Sequence, residues 1–133
     1  MNQTVSNYLQ NTESQEYKAC SYEVNGEKII ERTAKITPKK IGQFVTCWQR
    51  NANGITEPFK NTDDFDFFII KVFKENLAGS YKFPKAALIK NGIISTEKKD
   101  GKRGFRVYPI WDEPTSKQAI KTQNWQLEYF TND

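Results

Sequence analysis

The chain has 133 residues and a mass of 15.5 kDa, which fits one domain around one modest core and excludes a large multidomain enzyme. A content of 37% hydrophobic and 14% aromatic residues excludes disorder and collagen-like structure, while a net charge of +4 and a pI near 9.0 favour anionic partners. With no histidine and only Cys20 and Cys47, the chain lacks the groups for Ser-His or Cys-His catalysis, the usual zinc sites and a disulfide framework, although one bridge between the two thiols stays open.

Met1 to Thr12 is polar, has neither the basic nor the apolar region of a secretory signal, and reads as a short helix or a frayed tail. Glu16 to Val24 reads as a strand, and Asn25-Gly26 turns it into a hairpin with Lys28 to Ile36. Alternation puts Ile30, Arg32, Ala34 and Ile36 on one face of that second strand. Thr37 to Lys40 is a turn around Pro38, and Ile41 to Arg50 returns as a strand with Phe44 and Trp48 on the same side. Asn51 to Gly54 ends it, and Pro58 predicts irregular backbone beyond.

Asp64 to Phe73 is almost continuously apolar from Phe65 onward, the pattern of a central strand covered on both faces. Gly79 to Phe83 predicts a short strand, and Pro84 to Lys90 a short helix stopped by Asn91-Gly92. Ile93 to Thr96 and Arg103 to Ile110 predict a further hairpin. Thr115 to Phe130 reads as the main helix, with Thr115 and Gln118 as a capping box and Ala119, Ile120, Gln123, Leu127 and Phe130 facing inward. The sum is a single α+β domain over residues 1–133, a mixed and mainly antiparallel sheet with a C-terminal helix packed on it.

The cations fall into two blocks. Lys28, Arg32, Lys35, Lys39, Lys40 and Arg50 stand against Glu31 alone, and Lys82, Lys85, Lys90, Lys98, Lys99, Lys102, Arg103 and Arg106 stand against Glu97 and Asp100. Brought onto one face they would attract phosphates through counterion release; the plainer alternative is a set of solvated turns. Lys35, Lys39 and Lys40 bracket the Pro38 turn, and Trp48 with Arg50 reads either as a stacking platform or as core. By the pleat, Gly104, Arg106 and Tyr108 share one face and Arg103, Phe105 and Val107 the other, so Arg106 and Tyr108 can meet a ligand while the opposite face packs. The alternative for Arg106 is a pair with Asp64 or Asp66. Those two acids could also share a divalent cation, or end a strand by pairing with neighbouring lysines.

The run from Arg32 to Arg50, RTAKITPKKIGQFVTCWQR, together with Phe83-Pro84-Lys85, Gly101-Lys-Arg103, Arg106-Val-Tyr-Pro109, Thr122-Gln-Asn-Trp-Gln126 and Tyr129-Phe130, resembles the MepB-like family of small bacterial proteins from about Tyr17 onward. The resemblance implies a cytoplasmic α+β protein that handles nucleic acid, with a distant likeness to restriction-endonuclease folds. A nuclease of the PD-(D/E)xK type would draw on Asp64, Asp66, Glu31 and Lys35 with magnesium. The sequence departs from that pattern, because Glu31 stands four residues from Lys35 and the stretch Tyr81 to Lys85, which follows Asp64 and Asp66, holds no acid.

The expectation is a nucleic-acid or nucleotide-binding module without a cofactor or a membrane partner. Lys35, Lys39, Lys40, Trp48, Arg50, Lys85, Arg103, Arg106 and Tyr108 are its contact residues. A magnesium-dependent nuclease and a protein-interaction accessory factor are the alternatives.

Overall fold

In the computed structural model, residues 4–133 are described, and the elements in chain order are β1 (Val5–Gln10), a 3-10 turn (Gln15–Tyr17), β2 (Cys20–Val24), β3 (Glu27–Thr33), β4 (Lys35–Ile36), β5 (Gln43–Thr46), β6 (Trp48–Arg50), β7 (Thr56–Pro58), β8 (Phe67–Lys74), β9 (Leu77–Pro84), α1 (Lys85–Lys90), β10 (Gly104–Val107), α2 (Lys117–Leu127) and β11 (Phe130–Asn132). The fold is α+β, a mixed and mainly antiparallel sheet with a C-terminal helix. Six strands pair in the order β1-β2-β3-β8-β9-β11, and only β3 with β8 is parallel. A parallel pair needs a long crossover. Residues 34–66 supply it and carry most of the two smaller sheets, β10-β5-β4 and β6-β7.

The core fills the space between the large sheet and the β10-β5-β4 sheet. Phe68, Ile70 and Val72 of β8 and Tyr81 and Phe83 of β9 meet Val45, Phe105, Val107 and Leu88, all buried. Phe83 lies at the centre, its ring 5.3 Å from Trp125, 5.8 Å from Tyr129 and 5.2 Å from Tyr81. The central position of β8 follows its apolar run, but only one of its faces is fully buried. Phe67 and Ile69 on the other face are half-buried, and the Lys82 ammonium lies 4.3 Å from the Phe67 ring centre where a second layer would sit.

Several expected elements change. Residues 5–10 form β1, antiparallel to β2, instead of a helix or frayed tail; Met1 to Gln3 lie outside the described residues. The strand expected from Glu16 begins only at Cys20. The Asn25-Gly26 hairpin is present, both residues at positive φ as a two-residue turn requires. The strand expected over Lys28 to Ile36 divides at Ala34, whose N–H donates to the Lys71 carbonyl, so that Lys35 and Ile36 join β5. The strand expected to Arg50 divides at Cys47, which passes the chain from β10 to β7, and Pro58 ends β7.

The expected hairpin of Ile93 to Thr96 with Arg103 to Ile110 does not form. The chain curls tightly where Gly101 N–H donates to Ser95 Oγ at 2.7 Å, and a Cβ on Gly101 would collide with the Ile93 carbonyl. β10 pairs with β5 instead. α2 is capped by Ser116, whose Oγ accepts from Ala119 N–H at 3.1 Å, and not by Thr115. Ile120 is exposed, Gln126 takes the buried position, and Phe130 has left the helix to pair β11 with Tyr81. No helix among the described residues is long and apolar enough to cross a membrane.

Candidate nucleic-acid interface

The outer face of the β10-β5-β4 sheet carries Lys35, Phe44 and Arg106 in one row, since Phe44 is opposite both. Phe105 and Val107 point into the core, as the pleat requires. Arg106 straddles the Pro38 turn: Nη2 donates to Thr37 Oγ1 at 2.6 Å and Nη1 to the Ile41 carbonyl at 3.4 Å. It pairs with neither Asp64 nor Asp66. Tyr108 packs its ring against Gly42, where a Cβ would stand 2.7 Å from Cδ1.

Lys39 and Lys40 are exposed at the tip of the turn, beside a groove of about 490 Å³ that reaches Trp111 and Asp112. Lys35 is partly answered, its ammonium 3.8 Å from Glu16 and 5.0 Å from the Tyr17 ring centre. Tyr17 stands edge-on to Phe44, and Thr46 Oγ1 donates to Ser14 Oγ at 2.7 Å. The Ser14 to Tyr17 turn therefore roofs part of this face, and Phe44 is not an open platform.

A second patch continues along the chain. Burial still alternates through Cys47, so Phe44 and Trp48 share a side as expected, and with Thr46 they point outward. The Arg50 guanidinium lies 5.3 Å from the Trp48 ring centre and donates to the Gly54 carbonyl at 3.3 Å. Arg103 donates to the Thr56 carbonyl at 3.3 Å, and Thr56 is the partner of Arg50 across β6 and β7. The two arginines of this patch thus share one neighbour.

Charge is compensated unequally. The ion pairs among the described residues all use lysine: Lys28 with Asp64, Lys35 with Glu16, Lys60 with Glu57, Lys74 with Asp112 and Lys82 with Glu27. Among the described residues, the hydrogen bonds of Arg50, Arg103 and Arg106 all go to neutral oxygens. Each is held in place while its positive charge stays unmatched, which leaves the planar fork suited to a phosphate.

Lys85 is held by neutral oxygens as the arginines are, away from the small sheets, while the acids are occupied elsewhere. Lys85 Nζ donates to the Asn61 carbonyl at 3.3 Å and to the Asp63 carbonyl, under the Phe65 ring. Asp64 meets Lys28 Nζ, and Asp66 accepts from the Lys28 N–H at 2.8 Å, so these acids end a strand and meet a neighbouring lysine. Glu31 accepts from Tyr22 OH at 2.7 Å on the open face of the large sheet, and burial together with that bond pushes the Tyr22 phenol up. Lys35 belongs to another sheet. The four residues of the nuclease reading are not gathered, and no group of three metal-binding side chains occurs among the described residues.

Sequence reasoning missed Thr37, which holds Arg106, and Tyr17, which covers Phe44. It also put Arg32 in the basic block, although Arg32 is fully buried. Its fork meets only the Glu31 carbonyl at 3.3 Å and the Trp48 carbonyl at 3.5 Å, between the rings of Phe59 and Phe68, each 5.8 Å away. The signal was present in its alternation with Ile30 and Ala34. Both cysteines are free and buried.

A family model described as MepB-like matches residues 11–132. A solved crystal structure of MepB is 38% identical in sequence, superposes with a TM-score of 0.93, and is matched over 96% of this chain and 86% of its own. No curated protein matches the chain.

Proposed function

The chain belongs to the MepB-like family, and from that premise we propose that it is a nucleic-acid-binding module that takes up single-stranded DNA or RNA. The observation that carries the reading is the set Arg50, Arg103 and Arg106, each fixed by carbonyl or hydroxyl oxygens and none matched by a carboxylate. Such forks bind phosphate oxygens at little cost in ordering, because their rotamers are already set. Lys35, Lys39 and Lys40 add positive potential at the Arg106 end. Trp48 beneath Arg50 offers a ring for a base, a contact worth about 1–3 kcal/mol, and Tyr108, whose ring packs on Gly42, stands on the same strand face as Arg106.

A single strand suits this surface better than a duplex. α1 has only six residues, and α2 is held to β10 by Gln126 and to the segment after it by Gln123, so neither stands out as a groove-reading helix. Two free thiols fit a reducing compartment such as the cytoplasm.

The test is a titration of the protein into labelled single-stranded and duplex oligonucleotides at two salt concentrations, with and without magnesium, reading binding and strand length together. Single strands should bind more tightly, weaken as salt rises, and stay intact. Absence of binding at low salt would remove the proposal, and shortened strands with magnesium would replace it with cleavage.

A further inference from the structure

The free edge of β10 shows a feature that nucleic-acid binding does not use. Cys47 N–H donates to the Arg103 carbonyl at 2.9 Å, which sets the side of β10 that faces β5. Main-chain groups alternate sides along a strand, so Gly104, Arg106 and Tyr108 turn theirs to the opposite edge. There the fully buried Gln126 of α2 stands in for a neighbouring strand. Its Nε2 donates to the Arg106 carbonyl at 2.9 Å and its Oε1 accepts from the Tyr108 N–H at 3.0 Å. A side-chain amide reaches no further. The Gly104 carbonyl and the Arg106 N–H, the next step of the same ladder, have no partner among the described residues.

The Arg106 end of this step borders a cleft of about 280 Å³ that runs between β10 and α2. Lys102 and Arg106 line it, and among the described residues neither is in an ion pair and no acid lines the cleft. Ser116 at the start of α2 adds the positive end of a helix, and Ile93 and Trp125 give an apolar wall. We propose that the cleft takes an extended acidic peptide of a partner protein, which adds to β10 as a further strand where Gln126 leaves off. An acceptor and a donor at ladder spacing match a peptide backbone, the apolar wall receives one side chain, and the two cations select acidic residues beside it. The inference shares Arg106 with the proposed nucleic-acid interface but does not rest on that reading.

The probes are acetylated hexapeptides alternating valine with aspartate or glutamate, followed through the protein's amide NMR signals. Peptide should shift the Gly104, Arg106 and Thr122 amides and slow exchange of the Arg106 N–H by about tenfold or more. A copy N-methylated on alternate residues should lose binding, as should Thr122→Trp, which fills the cleft. Oligonucleotide binding by that variant should persist, which also shows that it folds. The inference is overturned if no peptide binds at about 1 mM, if the N-methylated copy binds equally, or if the Arg106 N–H exchanges as fast with peptide as without. It also falls if an oligonucleotide, and not the peptide, protects that amide, since the occupant is then a base.

Discussion

The two ends of this molecule hold their cations differently. On the large sheet, Lys28 and Lys82 face Asp64 and Glu27, and Lys85 at the start of α1 is wrapped by two carbonyls. On the small sheets, Arg50, Arg103 and Arg106 are clamped by neutral oxygens and keep their charge unanswered. Lysines met by carboxylates serve surface cohesion, Lys35 and Lys60 at the small sheets included, while the arginines of the small sheets remain available for a ligand. Counting basic residues cannot separate the two, because the difference lies in what each head group touches.

The comparison breaks most heavily at the joint between the regions. Phe83→Ala removes a fully buried ring that touches β9, β10, α2 and the segment after it, and should cost about 3–5 kcal/mol, read as a lower denaturant midpoint. Both regions should melt together, and separate transitions would show that they fold apart.

Arg32 sharpens the contrast, since it is an unmatched arginine that no ligand can reach. Replacing a buried charge with an apolar side chain of similar length is often neutral or stabilising. Arg32→Met should therefore hold or raise stability, by up to about 1 kcal/mol, with oligonucleotide binding intact. A large loss in either measurement would place Arg32 among the functional arginines.

Cys47 sits where β5 gives way to β6 and reports on how firmly the arginine-bearing ribbon is packed. Burial pushes its thiol up to about 12, the nearby Arg32 guanidinium acting the other way. A disulfide reagent near neutral pH should leave Cys47 unlabelled in the folded protein and label it on unfolding; rapid labelling would mean that the ribbon opens.

The smallest effect concerns Asp112, which burial holds above the usual carboxylate range against the pull of Lys74 at 3.7 Å. The folded chain then binds this proton more tightly than the unfolded chain, so the Asp112 contribution falls as pH rises through the window from the ordinary carboxylate value to the raised one. Asp112→Asn should flatten the pH dependence of the melting temperature in that window, and an unchanged slope would show that Asp112 does not set it.

Local pattern carried much of the fold. The hydrophobic run of β8, the Asn25-Gly26 turn and the outward row of Arg106 and Tyr108 depend on neighbours a few residues away, and all are where the sequence puts them. The breaks at Ala34 and Cys47 were not legible, because each strand changes partner there and the choice is made by Lys71 and Arg103, tens of residues distant. β1 was hidden by an all-exposed composition, which gives no alternation to read. Among the contact residues, the partners of Lys85 were hidden for a similar reason: its carbonyl acceptors lie on a loop more than twenty residues upstream. Trp48 with Arg50 could be paired from sequence because they stand two apart on one strand.

The most direct test compares two triple variants of equal charge. Arg50→Gln, Arg103→Gln and Arg106→Gln together remove the unmatched forks; Lys28→Gln, Lys60→Gln and Lys82→Gln together remove three matched ammonium groups. Binding of a single-stranded oligonucleotide is measured against salt for both and for the parent. The arginine variant should lose most of its affinity and about two units of slope in log K against log salt, at about 0.7 per lost phosphate contact, while the lysine variant stays close to the parent. Equal losses in the two would show that net charge alone attracts the strand, and that the unmatched arginines have no special part in binding it.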